Sequence, residues 1–456
     1  MSDRTAVDVG APPAKPAPGR VLFYLLGAVA VVYALFAGLK TIAEFDLGWQ
    51  MAIARWIVQH HQIPSVDVLS YTAAGQPWIY PAGSGLLFYG AFLLGGYSLL
   101  SWLAAAGCAG VVALLLRRGS AVSAALAILA VPLITSRTTP RAEMFTVVLF
   151  AATLSLLWQQ HESGDARLWL LPVLMVAWVN LHPGFVAGLG LLGAYAMVEA
   201  LDMLQPDLRI GARTRLRRAW PWLLATFAAT LINPWGWNVF QVIARQEAAM
   251  GAHSQLILEW APIPMNWTHI WNGLSLRDPD EFYVLLLVVI LAVAVALMRR
   301  QIGAAILMCG AAYFPIRHMR FIALFSIVAV IVGGAVLATA VDALKEKIRG
   351  TRLRSAVAIA AVVPLVALAT VRVTNVITDR TYLSGTNLVS FGTGLSWWFP
   401  EAAAAFVERE NLPGEIFSAG SEGAFMAWRL GPKYRNYIDG RAIPFGTELM
   451  LRVGWL

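Results

Sequence analysis

The stretch VLFYLLGAVAVVYALFAGL, residues 21–39, carries no charged side chain, and KTIAEFD at 40–46 follows it directly. As a helix the apolar run is about 28 Å long, close to the roughly 30 Å of a bilayer's hydrocarbon core. It exceeds the 7–15 residues of a signal-peptide core, so it reads as an uncleaved first span. The polar residues 1–20 before it, with Arg4, Lys15 and Arg20, are expected to form a cytoplasmic tail.

Working outward, similar runs recur at 97–116, 119–135, 142–160, 167–181, 184–203, 219–234, 281–298, 302–316, 320–340 and 355–373, which makes about eleven spans. The whole chain agrees: 59% of its 456 residues are hydrophobic and 13% charged, with a mean hydropathy of +0.65. A soluble domain has about 25% charged residues, and a disordered chain or coiled coil has still less apolar content. The predicted class is an all-α polytopic membrane protein.

The net charge of +8 falls mainly between spans, where it sets orientation, and it gives no reason to expect nucleic acid. Arg117 and Arg118, Arg167, the cluster Arg209, Arg213, Arg215, Arg217 and Arg218, then Arg299 and Arg300, then Lys345, Lys347, Arg349, Arg352 and Arg354 all land on one side if the N-terminus is cytoplasmic. That count requires 82–95 to lie in the interface, stopped by Gly95 and Gly96, and not to cross. Cys108 and Cys309 lie within apolar runs and match no metal-ligand spacing.

The opposite, extracytoplasmic side then holds 41–96, the turns around Arg137–Arg141, Asn180–Gly184 and Arg317–Arg320, the loop 234–281 and the tail from 374. Arg137, Arg141, Arg317, His318 and Arg320 are cations on the face that should be poor in them, which calls for a reason. In the tail, 400–410 reads as a helix, and 415–418 and 437–439 as strands of a small α/β domain covering 374–456. Two strands cannot stand alone, so the chain is expected to end inside that domain. No solenoid or inverted repeat is visible.

Within the first loop, Trp49, Ile53, Trp56 and Ile57 recur at helical spacing, predicting an amphipathic interfacial helix with Arg55 toward water. Asp46 stands at its start. It reads either as an N-cap or, with Glu44 two residues before it, as one of two carboxylates at the mouth of a membrane cavity. Asp67 reads as a loop or capping residue, and Asp439, Gly440 and Arg441 as a turn.

The Glu44-Phe45-Asp46 triplet, Gly48-Trp49-Gln50, Ile63-Pro64, Asp67, Ser70-Tyr71-Thr72 and Pro77-Trp78, together with WVNLHPGF at 178–185, NPWG at 233–236 and YIDGR at 437–441, resemble bacterial GT-C-fold glycosyltransferases, relatives of protein O-mannosyltransferases and lipid A aminoarabinose transferases. The resemblance runs from about Leu39 to the end and implies a GT-C-like domain at 21–373 with its catalytic loop at 41–96. It implies transfer of a sugar from a polyprenyl-phosphate carrier to an extracytoplasmic lipid, glycan or protein acceptor at a bacterial inner membrane. By that analogy Asp46 is the general base, with Glu44 its neighbour.

Arg137, Arg141, Arg317, His318 and Arg320 would hold the donor phosphate, because guanidinium groups bind phosphate in a planar, bidentate way. His182, Asn180 and Glu259 would contact substrate. Relatives often carry a second aromatic and a histidine where this chain has Gly48 and Gln50, and an acid after ProTrp where it has Ile79-Tyr80-Pro81. No metal or other cofactor is therefore predicted. A transporter or flippase of lipid-linked glycans is the alternative; it would place polar residues at the middle of spans, whereas here they gather at the ends.

Overall fold

The computed structural model describes residues 18–244, 258–275, 280–348, 350–383 and 388–453. The tail before residue 18, part of the long loop and Arg349 lie outside the described residues. The described chain is a bundle of apolar helices. Six are long and apolar enough to cross a membrane: 19–38, 83–116, 185–203, 281–298, 319–347 and 352–377. Shorter apolar helices lie at Ala121–Thr135, Leu170–Leu181 and Ile302–Arg317. Large apolar side chains such as Leu287, Ile290, Leu291, Ile359 and Val363 point outward from these helices, the surface a lipid environment covers. The protein is an integral membrane protein.

Helix α1 (Pro18–Gly38) buries Leu26, Ala30, Tyr33, Ala34 and Ala37, a stripe at helical spacing. The small residues in that stripe let it approach α3 (Gly83–Leu116) and α4 (Ala121–Thr135) closely. α4 lies at the centre, with Ala124, Ala127, Ala130, Val131 and Ile134 inaccessible to solvent. Its start is capped by the Ser120 hydroxyl, which accepts from the Ser123 amide at 3.2 Å. α3 breaks at Gly95 and Gly96, where Gly96 adopts a φ of +60°. Only glycine takes that backbone at little cost, and the break separates 83–94 from the span that follows, where the sequence predicts a stop.

Helix α2 (Asp46–His60) forms where predicted but is more deeply covered. Leu47 to Ala54 are all buried, because the helix Gly420–Leu430 of the C-terminal segment lies across it. Gly48 permits that contact: a Cβ there would collide with the Ala424 carbonyl. Arg55 does not face water. It stacks on Trp428 at 4.7 Å and donates to the Gly431 carbonyl at 2.7 Å.

The α/β expectation for the tail meets a different arrangement. The helix Glu401–Glu410 forms, but among the described residues the two predicted strands are reduced to isolated bridges. Ile416 and Ser70 each pair in parallel with Asn436, so the first loop supplies a third short piece. Lys40 pairs antiparallel with Phe391, and Ile42 parallel with Leu395. Side-chain contacts add to the backbone bonds that hold the C-terminal segment to the loop.

Foremost among these is a buried ion network. Arg441 donates to Asp439 at 2.8 and 2.7 Å and to Asp67 Oδ1 at 2.5 Å, with no exposed side-chain surface on any of the three. Asp67 also accepts from the Leu69 and Ser70 amides and the Ser70 hydroxyl. Neither the loop role of Asp67 nor the turn role of Asp439 and Arg441 describes this. Partners 374 residues apart in sequence give no local signal.

Candidate active site

Asp46 is the first residue of α2. The residue before it, Phe45, is helical, and Asp46 makes no side-chain capping bond. Three residues on, Trp49 shares its face, and the indole Nε1 donates to Asp46 Oδ1 at 3.0 Å. Trp49 is itself held edge-on by Trp78 (5.6 Å) and Tyr80 (5.1 Å), which stack on each other at 5.5 Å. Arg441 lies 5.0 Å from the Trp78 ring, so the buried ion network supports the aromatic group under Asp46. Burial, and then the nearby Glu44 carboxylate, push the Asp46 pKa up to about 7, while Arg141 and the Trp49 bond oppose the rise.

Glu44 Oε2 accepts from the Thr139 hydroxyl at 2.8 Å, and Oε1 lies 3.5 Å from Arg141 Nη1. Thr139 and Arg141 come from the connection between α4 and α5 (Glu143–Ser163), which brings the next helix end to the same place. There Arg141 meets Glu143, and it grips Glu259 with both terminal nitrogens at 2.8 and 2.9 Å. Arg137 Nη1 reaches Glu259 at 2.9 Å and Glu143 at 3.6 Å. Arg320 stands 4.0 Å from Glu143 and lies over the Trp260 ring at 4.1 Å. The Trp260 carbonyl is 2.9 Å from His318 Nδ1, and the Met319 amide donates to the Ala261 carbonyl at 2.9 Å. In this way the 258–261 turn is tied to 318–320.

Of the residues singled out in the sequence, Glu44, Asp46, Arg137, Arg141, Glu259 and Arg320 converge, with His318 at the edge. Arg317 does not join them. It is exposed and makes no ion pair with any described residue. Asn180 also stands apart, donating to the Val176 and Ile232 carbonyls at 2.8 Å each and so fastening α6 (Leu170–Leu181) to the segment after α8 (Arg209–Ala229).

His182 Nδ1 accepts from the Gly184 amide at 3.0 Å and pairs with the Thr146 hydroxyl at 2.8 Å. Thr146 in turn accepts from Trp178 Nε1. These bonds put the imidazole proton on Nε2. Burial pushes the His182 pKa down to about 3, so the ring is neutral at physiological pH. Glu143 was not singled out from the sequence, although an acid at the head of an apolar run was the signal that could have found it.

Among the described residues, His161, Glu199 and Asp202 alone have their ligand atoms close enough to share a metal ion. They lie at the far end of α5 and on α7 (Phe185–Met203). Arg215 already donates to both Glu199 oxygens, at 3.1 and 3.0 Å, and to Asp202 at 3.3 Å, so the protein neutralises that cluster itself.

A charged cluster thus gathers where the first loop, the α4–α5 connection and a later turn meet at one end of a bundle of apolar helices. No sequence-family model matches the chain, and no curated protein matches it by sequence. Among solved structures it is similar to the archaeal oligosaccharyltransferase AglB of Archaeoglobus fulgidus bound to an inhibitory peptide and a dolichol-phosphate, at 12% identity and a TM-score of 0.58. That match covers 92% of this chain and 65% of the other. An oligosaccharyltransferase of the same organism, tethered to an acceptor peptide containing an NVT sequon, matches at 11% identity and a TM-score of 0.53, over 92% and 64% of the two chains. This chain thus spans slightly less than two thirds of their length. At such identity the likeness is one of fold.

Proposed function

We propose that this protein is a membrane glycosyltransferase that moves a sugar from a polyprenyl-phosphate carrier to an acceptor hydroxyl, with Asp46 as general base. The observation that carries this is Asp46 itself: a desolvated carboxylate with a pKa near neutrality, one oxygen held by Trp49, beside a cluster of arginines. A base works best when its pKa lies near the working pH. The acceptor oxygen attacks the anomeric carbon and its proton passes to Asp46. The anomeric carbon–oxygen bond breaks, and its electron pair stays with the carrier phosphate. Arg137, Arg141 and Arg320 stabilise the charge that develops there. His182, neutral and carrying its proton on Nε2, is a hydrogen-bond donor toward substrate. Glu44, Glu143 and Glu259 each face a guanidinium, and the proposed reaction uses no divalent metal.

The fold shared with proteins that bind dolichol-phosphate and an acceptor peptide supports a lipid-linked donor. A flippase would need polar groups along a path through the bundle, whereas these are concentrated at one end. The test is transfer from labelled polyprenyl-phosphate sugars by purified protein. The Asp46→Asn variant should fold like the parent, since the aspartate caps nothing, and lose on the order of 100-fold in rate. Near-parental transfer by that variant would remove Asp46 from the chemistry.

A further inference from the structure

The arginines that suit a phosphate are, in this structure, already facing carboxylates. Arg137, Arg141 and Arg320 stand against Glu44, Asp46, Glu143 and Glu259, so with all four acids ionised the cluster is negative and would repel an incoming phosphate. One of those acids differs from the others. The Glu259 side chain is 33% exposed, against 9% for Glu143 and 14% for Glu44, and it belongs to the single 3₁₀ turn Leu258–Trp260 and not to a long helix or the Asp46 segment. Its carboxylate sits on Arg141 in the two-pronged geometry that guanidinium groups also offer to phosphate, with a third contact from Arg137.

The same place has spare donors. Arg137 is 6% exposed, and its Nε–H is buried without an acceptor among the described residues. Arg320 has its ion pair at 4.0 Å and its ring contact, with no hydrogen-bond acceptor among the described residues. A carboxylate has too few oxygens to serve all three arginines. A tetrahedral phosphate has more.

We infer that the Glu259 carboxylate holds the place of the carrier phosphate: the lipid phosphate binds where Glu259 now sits, on Arg137, Arg141 and Arg320, and displaces it. This rests on the transferase reading and reverses the sign expected of Glu259. A residue that contacts substrate weakens binding when removed, whereas a stand-in competes with it. With Glu259 displaced, three arginines face Glu44, Glu143 and Asp46, so the site carries one negative charge fewer toward the phosphate.

The test is binding of polyprenyl phosphate to the full chain in detergent, with the matching polyprenol as uncharged control, for the parent, Glu259→Gln, Glu259→Ala, Arg137→Gln and Arg141→Gln. Both Glu259 variants should bind polyprenyl phosphate at least about tenfold more tightly and polyprenol unchanged, since each removes one like charge from the site. Both arginine variants should bind the phosphate more weakly. Using two substitutions at a partly exposed loop position keeps the test readable if one fails to fold. Equal or weaker phosphate binding by the Glu259 variants, with the arginine variants weakened, would overturn the stand-in and leave the arginine site. Parental binding by the arginine variants would overturn the arginine site and the stand-in with it. Tighter binding of polyprenol too would show a hydrophobic effect and overturn the stand-in alone.

Discussion

The indole of Trp49 decides which oxygen of Asp46 is free. Its bond to Oδ1 leaves Oδ2 free, the oxygen that would take the proton in the proposed reaction, and the aromatic contacts of Trp78 and Tyr80 hold the indole in place. Because the Asp46 pKa lies at about 7, transfer should rise with pH through neutrality, as the base must be ionised to act. A donor to the carboxylate favours the charged form. Trp49→Phe removes that donor and should move the rising limb of the pH–rate profile to higher pH. Loss of packing alone would lower the rate at every pH and leave the limb where it is, which is the outcome that would separate Trp49 from the base.

The connection between first loop and C-terminal segment is the element on which the aromatic support depends. Asp67, Arg441 and Asp439 are wholly buried, Arg441 bridging the two carboxylates, and each charge-assisted hydrogen bond in such a network contributes about 1.5–3 kcal/mol. Asp67→Asn keeps the side chain's shape while removing its charge, and thermal unfolding in detergent should show it markedly destabilised. Limited proteolysis should then cut the 388–453 segment faster than in the parent. An unchanged unfolding temperature would return Asp67 to the loop role its local sequence suggests. The helix Gly420–Leu430 makes the same point through packing: its contact with Gly48 and Arg55 is what turns α2 from an interfacial helix into a covered one.

Over the whole molecule, charge is divided between the two ends of the bundle. The Asp46 cluster sits where α2 and α5 begin, while the far end of α5 meets Arg118 at Ser163 and Asp165. The one-sided placement of Arg117, Arg118, Arg167 and the 209–218 cluster predicts that the far end is cytoplasmic. Cysteines placed at Ser65 and Glu410, both exposed, should react with an impermeant thiol reagent in intact cells. One at Thr214, also exposed, should react only after lysis. The reverse pattern would put the site in the cytoplasm and the donor on the other leaflet.

Sequence by itself determined the membrane class, the apolar helices and the break at Gly95 and Gly96, because hydropathy over some twenty residues and a glycine's backbone freedom are local quantities. It also brought out Asp46, Arg137, Arg141, Glu259 and Arg320 as polar groups in loops and at helix ends on one side. Their pairing lay beyond it. That Glu259 rests on Arg141, 118 residues earlier, that Trp49 serves Asp46 and not merely the face of an amphipathic helix, and that Asp67 closes on Arg441 follow from how the helices pack. Ion pairs and hydrogen bonds form between whichever side chains the fold brings within about 3 Å, and no spacing along the chain encodes that distance.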